Sequence, residues 1–202
     1  MATPTVVIWD VGNVIVRWDP RTLYSKIFPD PAERDRFLAE VCTTAWHGPT
    51  DAGRSFDENC AALAAQHPER AEAIWAWKLR WWEMFSGPIP ETEAAICTLA
   101  GRGVRQYALS NMSHETVEGT FAMSPAFDWL DGRIISGVEG VMKPHAAIFE
   151  LACARYDFTP GEALFVDDGA RNIAAAHDLG FATHHFTDPA ALKPALERLG
   201  LL

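Results

Sequence analysis

Thr5-Val6-Val7-Ile8-Trp9-Asp10-Val11-Gly12-Asn13 is the stretch that decides the architecture. Its β-branched run ends on a carboxylate with a glycine two residues later, which reads as a buried strand handing Asp10 to a loop. The pattern recurs. Val104 to Leu109 runs into Ser110 and Asn111, and Ala163 to Val166 runs into Asp167 and Asp168. A helix is expected after each. The first is Ser113 to Phe121, with Ser113 as N-cap and Glu115 in a first turn that favours negative charge. The second is Ala170 to Leu179, closed by Gly180 before the strand-like Phe181 to Phe186.

Strands alternating with helices of about 10–15 residues imply an α/β fold, a Rossmann-like, doubly wound parallel sheet. Ligands of such sheets bind beyond the carboxyl ends of the strands, and all three polar clusters fall there. From about Pro20 to Pro88 the rhythm breaks. This segment is helix-rich, lacks clear strand patterns and holds Trp46, Trp75, Trp77, Trp81 and Trp82. It reads as a small helical cap inserted after the first strand, its tryptophans forming a core of its own. Pro88 and Pro90 mark the return. The expected division is 1–19 and 89–202 for the α/β core and 20–88 for the cap.

A formal net charge of −10 speaks against nucleic-acid and anionic-membrane partners, which demand clustered Lys and Arg. Cys42, Cys60, Cys97 and Cys153 are widely spaced and form no CxxC pair, so they read as packing residues or inert thiols in a reduced compartment. The apolar run in MATPTVVIWD is too short for a secretory segment or a membrane span, and a cytoplasmic location is expected. No GxGxxG follows the first strand, which argues against a dinucleotide site. Nothing in the sequence sets an oligomeric state.

Taken singly, the polar residues have ordinary readings. Asp10 can be a helix cap or loop residue, Ser110 a helix cap, Lys143 a solvated lysine. Together, Asp10, Ser110, Asp167 and Asp168 lie at or just past strand ends and can converge with Lys143 on one crevice. Phosphoryl transfer needs such a set: a carboxylate nucleophile, a divalent cation on oxygen ligands, and cations and hydroxyls around the transferring group. Two adjacent acids beside a third repel one another in a buried cleft unless a cation sits among them. Mg²⁺, which takes few carboxylates and keeps several waters, suits that place.

Asp10-Val11-Gly12-Asn13-Val14, Leu109-Ser110-Asn111, Lys143-Pro144 and Asp167-Asp168-Gly169-Ala170-Arg171-Asn172 match, in order, the four motifs of the haloacid dehalogenase superfamily. The chain resembles most the bacterial branch with a small helical cap between the first two motifs, which includes sugar-phosphate phosphatases. The resemblance implies a Mg²⁺-dependent hydrolase acting on a small anionic substrate. Asp10 would attack phosphorus to give an aspartyl phosphate, while Ser110, Asn111 and Lys143 meet the phosphoryl group. Asp10, Asp167, Asp168 and the carbonyl of Gly12 would hold Mg²⁺, with Asn13, Asn111 and Asn172 in support.

One position departs from the family pattern. Most phosphatases of the superfamily carry a second aspartate two residues after the nucleophile, as general acid and base, where this chain has Gly12. Loss of such a group typically costs about a hundred- to ten-thousand-fold in rate. Asp19, His47 and His114 are candidate substitutes, and Arg17, Arg54, His47 and Asp51 are candidate substrate contacts. Each also reads as a cap or surface residue. The 2-haloacid dehalogenases lack that aspartate too, but they resemble one another in a Tyr six residues after the motif-three Lys, where this chain has Phe149, and in serines where it has Asp167 and Asp168. A third reading, suggested by Gly12 alone, is a weakly active or inactive relative that binds a phosphorylated ligand or a protein.

Overall fold

A computed structural model describes residues 3–202. The chain runs through β1 (Val6–Trp9), β2 (Val16–Trp18), α1 (Pro20–Tyr24), α2 (Pro31–Glu40), α3 (Thr44–Asp51), α4 (Phe56–Gln66), α5 (Ala71–Leu79), β3 (Phe85–Pro88) and α6 (Pro90–Gly101). It continues through β4 (Arg105–Ser110), α7 (Val117–Phe121), β5 (Gly132–Ile135), α8 (Ser136–Glu139), α9 (Ala146–Tyr156), β6 (Ala163–Asp167), α10 (Ala170–Asp178), β7 (Ala182–His185) and α11 (Leu192–Arg198).

Five strands form one sheet in the order β5-β4-β1-β6-β7, every neighbouring pair parallel. The fold is Rossmann-like. Val7 and Trp9 face a cluster that includes Ile96 and Leu99 of α6 and Leu192 and Leu196 of α11. Val6 and Ile8 face the opposite cluster, with Ile148 and Phe149 of α9 and Ala176 of α10. The period-two alternation of side chains thus fills two cores from one strand, and none of the four residues of β1 exceeds 1% exposure. Such burial stabilises by roughly 1.5–3 kcal/mol per large side chain. After β1 the chain crosses to β4 and β5 on one side, then returns to β6 and β7 on the other. The carboxyl ends of β1 and β6 therefore flank the switch point, where parallel sheets open a crevice.

Helices α1–α5 pack on a third cluster, centred on Leu23, Tyr24, Cys60, Ile74, Trp77, Trp81 and Met84. Trp46 and Trp75 lean against it. Trp82 does not belong to it. Its ring is partly exposed and lies over Gly119 of α7, where a methyl group would overlap it. The segment 20–88 is also not free of strand: β3 pairs antiparallel with β2, joining the two chain passages that lead in and out of the helices. A strand reading FSGP carries no alternation to betray it. Ser113 does cap, accepting the Glu115 N–H, but the helix begins as a 3-10 turn, His114–Thr116, before α7.

All four cysteines are free, and burial pushes Cys42 up to about 12 and Cys60 up to about 11. No helix among the described residues is long and apolar enough to cross a membrane.

Candidate active site

Asp10 follows β1, Asp167 ends β6, and Lys143 comes from the loop between α8 and α9. The Lys143 ammonium sits between the two acids, 2.9 Å from Asp10 Oδ1 and 2.6 Å from Asp167 Oδ2. Asp10 Oδ1 also accepts the Val11 N–H at 2.7 Å, which leaves Oδ2 for attack or for a cation. Asp167 is held harder. Its Oδ1 accepts Gly169 N–H at 2.7 Å and Asn172 Nδ2 at 2.9 Å. Asp168 stands at the rim, on a cavity wall shared with Asn13. Asn13 adopts φ +56°, a conformation that Asn tolerates better than most residues. Its carboxamide oxygen takes the Trp18 N–H at 3.0 Å, so the loop after β1 is fixed to β2.

One ammonium faces three carboxylates. Burial pushes Asp10 up to about 7, opposed by Lys143 and assisted by Asp167 and Asp168. Desolvation and the neighbouring Asp167 hold Asp168 above its ordinary value as well. Burial works against the charge of Lys143, but Asp10 and Asp167 outweigh it and raise its pKa. The three acids offer oxygens within 4.8 Å of one another, an all-oxygen donor set with excess negative charge. That fits a hard divalent cation, which would relieve the repulsion.

Ser110 ends β4, buried and facing the crevice. Asn111, expected at the phosphoryl group and as a support of the site, lines the crevice and bonds to the Lys143 main chain. Its Nδ2 donates to the Lys143 carbonyl at 2.9 Å and its Oδ1 accepts the Lys143 N–H at 2.8 Å. Both ends of the amide thus hold the main chain of Lys143.

The model of the haloacid dehalogenase-like hydrolases matches residues 4–180. The chain belongs to this family. Over 101 residues it is 32% identical to the sesquiterpene phosphatase astK of Aspergillus oryzae, covering 50% of this chain and 52% of that protein. The chain thus spans about half the length of that curated relative. A HAD family enzyme from Bacteroides thetaiotaomicron, solved with magnesium and inorganic phosphate, superposes with a TM-score of 0.67 at 18% identity over 94% of this chain and 98% of that one. A solved dehalogenase superposes with a TM-score of 0.73 at 16% identity, over 97% and 98%. At these identities the two structures show the shared fold.

In this family member the first motif opens onto a cavity of about 110 Å³. Gly12, Ser110 and Asn111 line one part, and Trp18, His47, Asp51, Trp81 and Thr120 another. His47 and Asp51 of α3 thus share a cavity with residues at the strand ends. His47 and Asp51, spaced i,i+4 on α3, lie 3.4 Å apart, Nε2 to Oδ1. The Trp77 indole N–H reaches His47 Nδ1 at 3.2 Å. Indole can only donate, so Nδ1 is the acceptor and the ring proton sits on Nε2, toward Asp51. Asp51 is pinned through its carbonyl by the Ser136 hydroxyl at 2.5 Å, and the same hydroxyl receives the Met112 N–H at 3.0 Å. Trp77 and Ser136 carry no motif in the sequence and only the fold brings them here.

Of the other candidates, Arg17 and Asp19 line a neighbouring cavity together with Asn13 and Asp168. Asp19 caps α1 by accepting the Arg21 N–H at 2.8 Å. His114 and Arg54 are exposed, and Arg17 donates to the Pro88 carbonyl at 2.7 Å, tying β2 to β3.

Proposed function

We propose that this hydrolase is a Mg²⁺-dependent phosphatase of small anionic phosphate esters, sugar phosphates in particular, with Asp10 as covalent nucleophile. One observation carries the reading: a buried lysine bridges Asp10 and Asp167 while Asp168 completes an oxygen cluster of excess negative charge. Segment 20–88 serves as the cap over a core of 1–19 and 89–202. Four unbridged thiols support a cytoplasmic setting.

Asp10 Oδ2 attacks phosphorus, and the Ser110 hydroxyl donates to a phosphoryl oxygen. Lys143 neutralises charge on the nucleophile and on the transferring group. Asn111 and Asn172 keep Lys143 and Asp167 in place. Asp10, Asp167, Asp168 and the Gly12 carbonyl would hold Mg²⁺, which when bound supplies charge neutralisation on the phosphoryl oxygens.

The His47, Asp51 and Ser110 side chains that line the cavity support a polar leaving group. Trp18 Nε1, Trp81 Nε1 and Thr120 Oγ1 are buried without a protein partner, and all three residues line this space. A sesquiterpenyl chain fits a cavity of about 110 Å³ poorly.

The dehalogenase alternative finds less support. Phe149, six residues after Lys143, is 1% exposed and packs edge-on against Phe165 in the core, and a paired acid cluster has no use in halide displacement. The test is release of inorganic phosphate from sugar phosphates and p-nitrophenyl phosphate, with Mg²⁺ and with chelator, beside chloride release from 2-chloropropionate. Mg²⁺-dependent phosphate release is expected. Metal-independent chloride release overturns the reading in favour of a dehalogenase.

A further inference from the structure

The first motif has Gly12 where a proton donor is needed, and the cavity beside it holds two ionisable side chains, His47 and Asp51. They are not equivalent. The Trp77 N–H occupies His47 Nδ1, so the imidazole cannot take a second proton without facing that donor, and the proton it does carry on Nε2 points at Asp51. A neutral imidazole is too weak an acid to protonate a leaving oxygen. Asp51 offers the chemistry that Gly12 lacks, a carboxyl group, delivered from the cap instead of the core.

The surroundings hold that carboxyl still. His47 Nε2 orients it from one side, and Ser136 fixes the Asp51 carbonyl to the loop that begins at Ser110. His47 is itself clamped, its ring stacked on Trp18, Phe56 and Trp81. Phe56 N–H adds a second tie to the core through Glu115 Oε1 at 2.7 Å. A carboxylate at a helix end needs none of this to be a solvated residue.

Resting on the phosphatase reading, we propose that Asp51 is the general acid and base of this enzyme, with His47 as its positioning residue. As Asp10 bonds to phosphorus and the phosphorus–ester oxygen bond breaks, the protonated Asp51 carboxyl gives its proton to the departing oxygen, which leaves as an alcohol. The Asp51 carboxylate then takes a proton from the water that attacks the aspartyl phosphate. The phosphorus–Asp10 bond breaks, phosphate leaves, and Asp51 is again protonated.

The experiment compares wild type, Asp51→Asn and the double variant Asp51→Asn/Gly12→Asp, all with Mg²⁺, on p-nitrophenyl phosphate and on an alkyl phosphate such as glycerol phosphate. Asp51→Asn should lose about a hundred- to ten-thousand-fold on the alkyl ester. It should retain a burst of about one equivalent of p-nitrophenolate, because that leaving group departs without a proton while the second step stalls. A Cβ at Gly12 meets nothing within 4 Å, so the added aspartate has room and should restore at least tenfold of the lost alkyl turnover. Asp51→Ala and Asp51→Glu run beside them, so that a variant failing to fold leaves the question decidable: loss with Ala and retention with Glu is expected. Wild-type rates on both esters in Asp51→Asn or Asp51→Ala overturn the assignment while leaving the phosphatase reading intact. A wild-type protein that releases no phosphate from either ester overturns both.

Discussion

The Lys143 ammonium lies 2.9 Å from Asp10 Oδ1, with both groups buried. A charge pair in such surroundings gains little net stability when intact, because both ions have left water, but breaking it leaves the partner uncompensated. Lys143→Ala should therefore destabilise the protein by about 3–5 kcal/mol, read by urea unfolding, and abolish measurable turnover. Mg²⁺ should recover part of the stability and none of the activity. A loss below about 1 kcal/mol contradicts the account of the pair.

Asp10 also sets a pH dependence. Burial lifts its carboxyl from an ordinary 3.8 to about 7. The folded protein then keeps a proton that the unfolded chain has released, and the stability linked to that proton is complete below about pH 4 and lost as pH rises through 7. A cation among the acids binds the deprotonated form, so its apparent affinity falls by about tenfold per pH unit below 7. The rise in Tm on replacing chelator with Mg²⁺ should be larger at pH 8 than at pH 5. An equal rise at both contradicts the linkage.

Asn111 grips the Lys143 main chain with both ends of its amide. Asn111→Ala should cost about 1–3 kcal/mol for the groups left unpaired. A misplaced lysine should lower kcat with little change in KM. A large rise in KM with kcat preserved would instead place the Asn111 side chain on the substrate, as its motif suggests.

Gly137 is pressed onto the loop that follows Ser110: a Cβ there would come within 2.6 Å of the Met112 carbonyl and 2.7 Å of the His114 N. Both are backbone atoms, so the loop itself must move. Gly137→Ala should lower stability by about 1–3 kcal/mol and reduce turnover through Ser110 and the Ser136 tie to Asp51. Unchanged activity would mean the loop has slack that the packing does not show.

Much of this was legible before any coordinates. β1 and β6 are apolar runs ended by polar residues, as buried parallel strands covered on both faces tend to be, whereas β4 is apolar only over residues 107–109 and hides Gln106 by bonding it to Trp9 and the Ile96 carbonyl. Their polar ends announce the crevice. The pairing of β2 with β3 was not legible, because two short strands held only by each other have no periodicity. β5 hides for another reason: this edge strand is four residues long and opens on Gly132-Arg133, so no apolar run marks it. Trp82 carries the same residue type as Trp77 yet packs across on α7, since composition does not say which side of a helical layer a ring faces. Asn111 lies in a motif, but only geometry shows that its amide is satisfied by backbone. Asp51 was visible only as a possible contact. The signal was its i,i+4 spacing from His47, which sets both on one face of a helix, and Trp77 was needed to choose between them.

A phosphoryl bond to Asp10 can be trapped chemically. The enzyme is mixed with Mg²⁺ and p-nitrophenyl phosphate, quenched in acid within a turnover, reduced with borohydride and digested for mass spectrometry. Borohydride converts an acyl phosphate to an alcohol, so the peptide spanning residues 5–17 should carry homoserine at position 10, in amounts that fall away when Mg²⁺ is chelated. Steady phosphate release with an unmodified Asp10 contradicts the covalent mechanism.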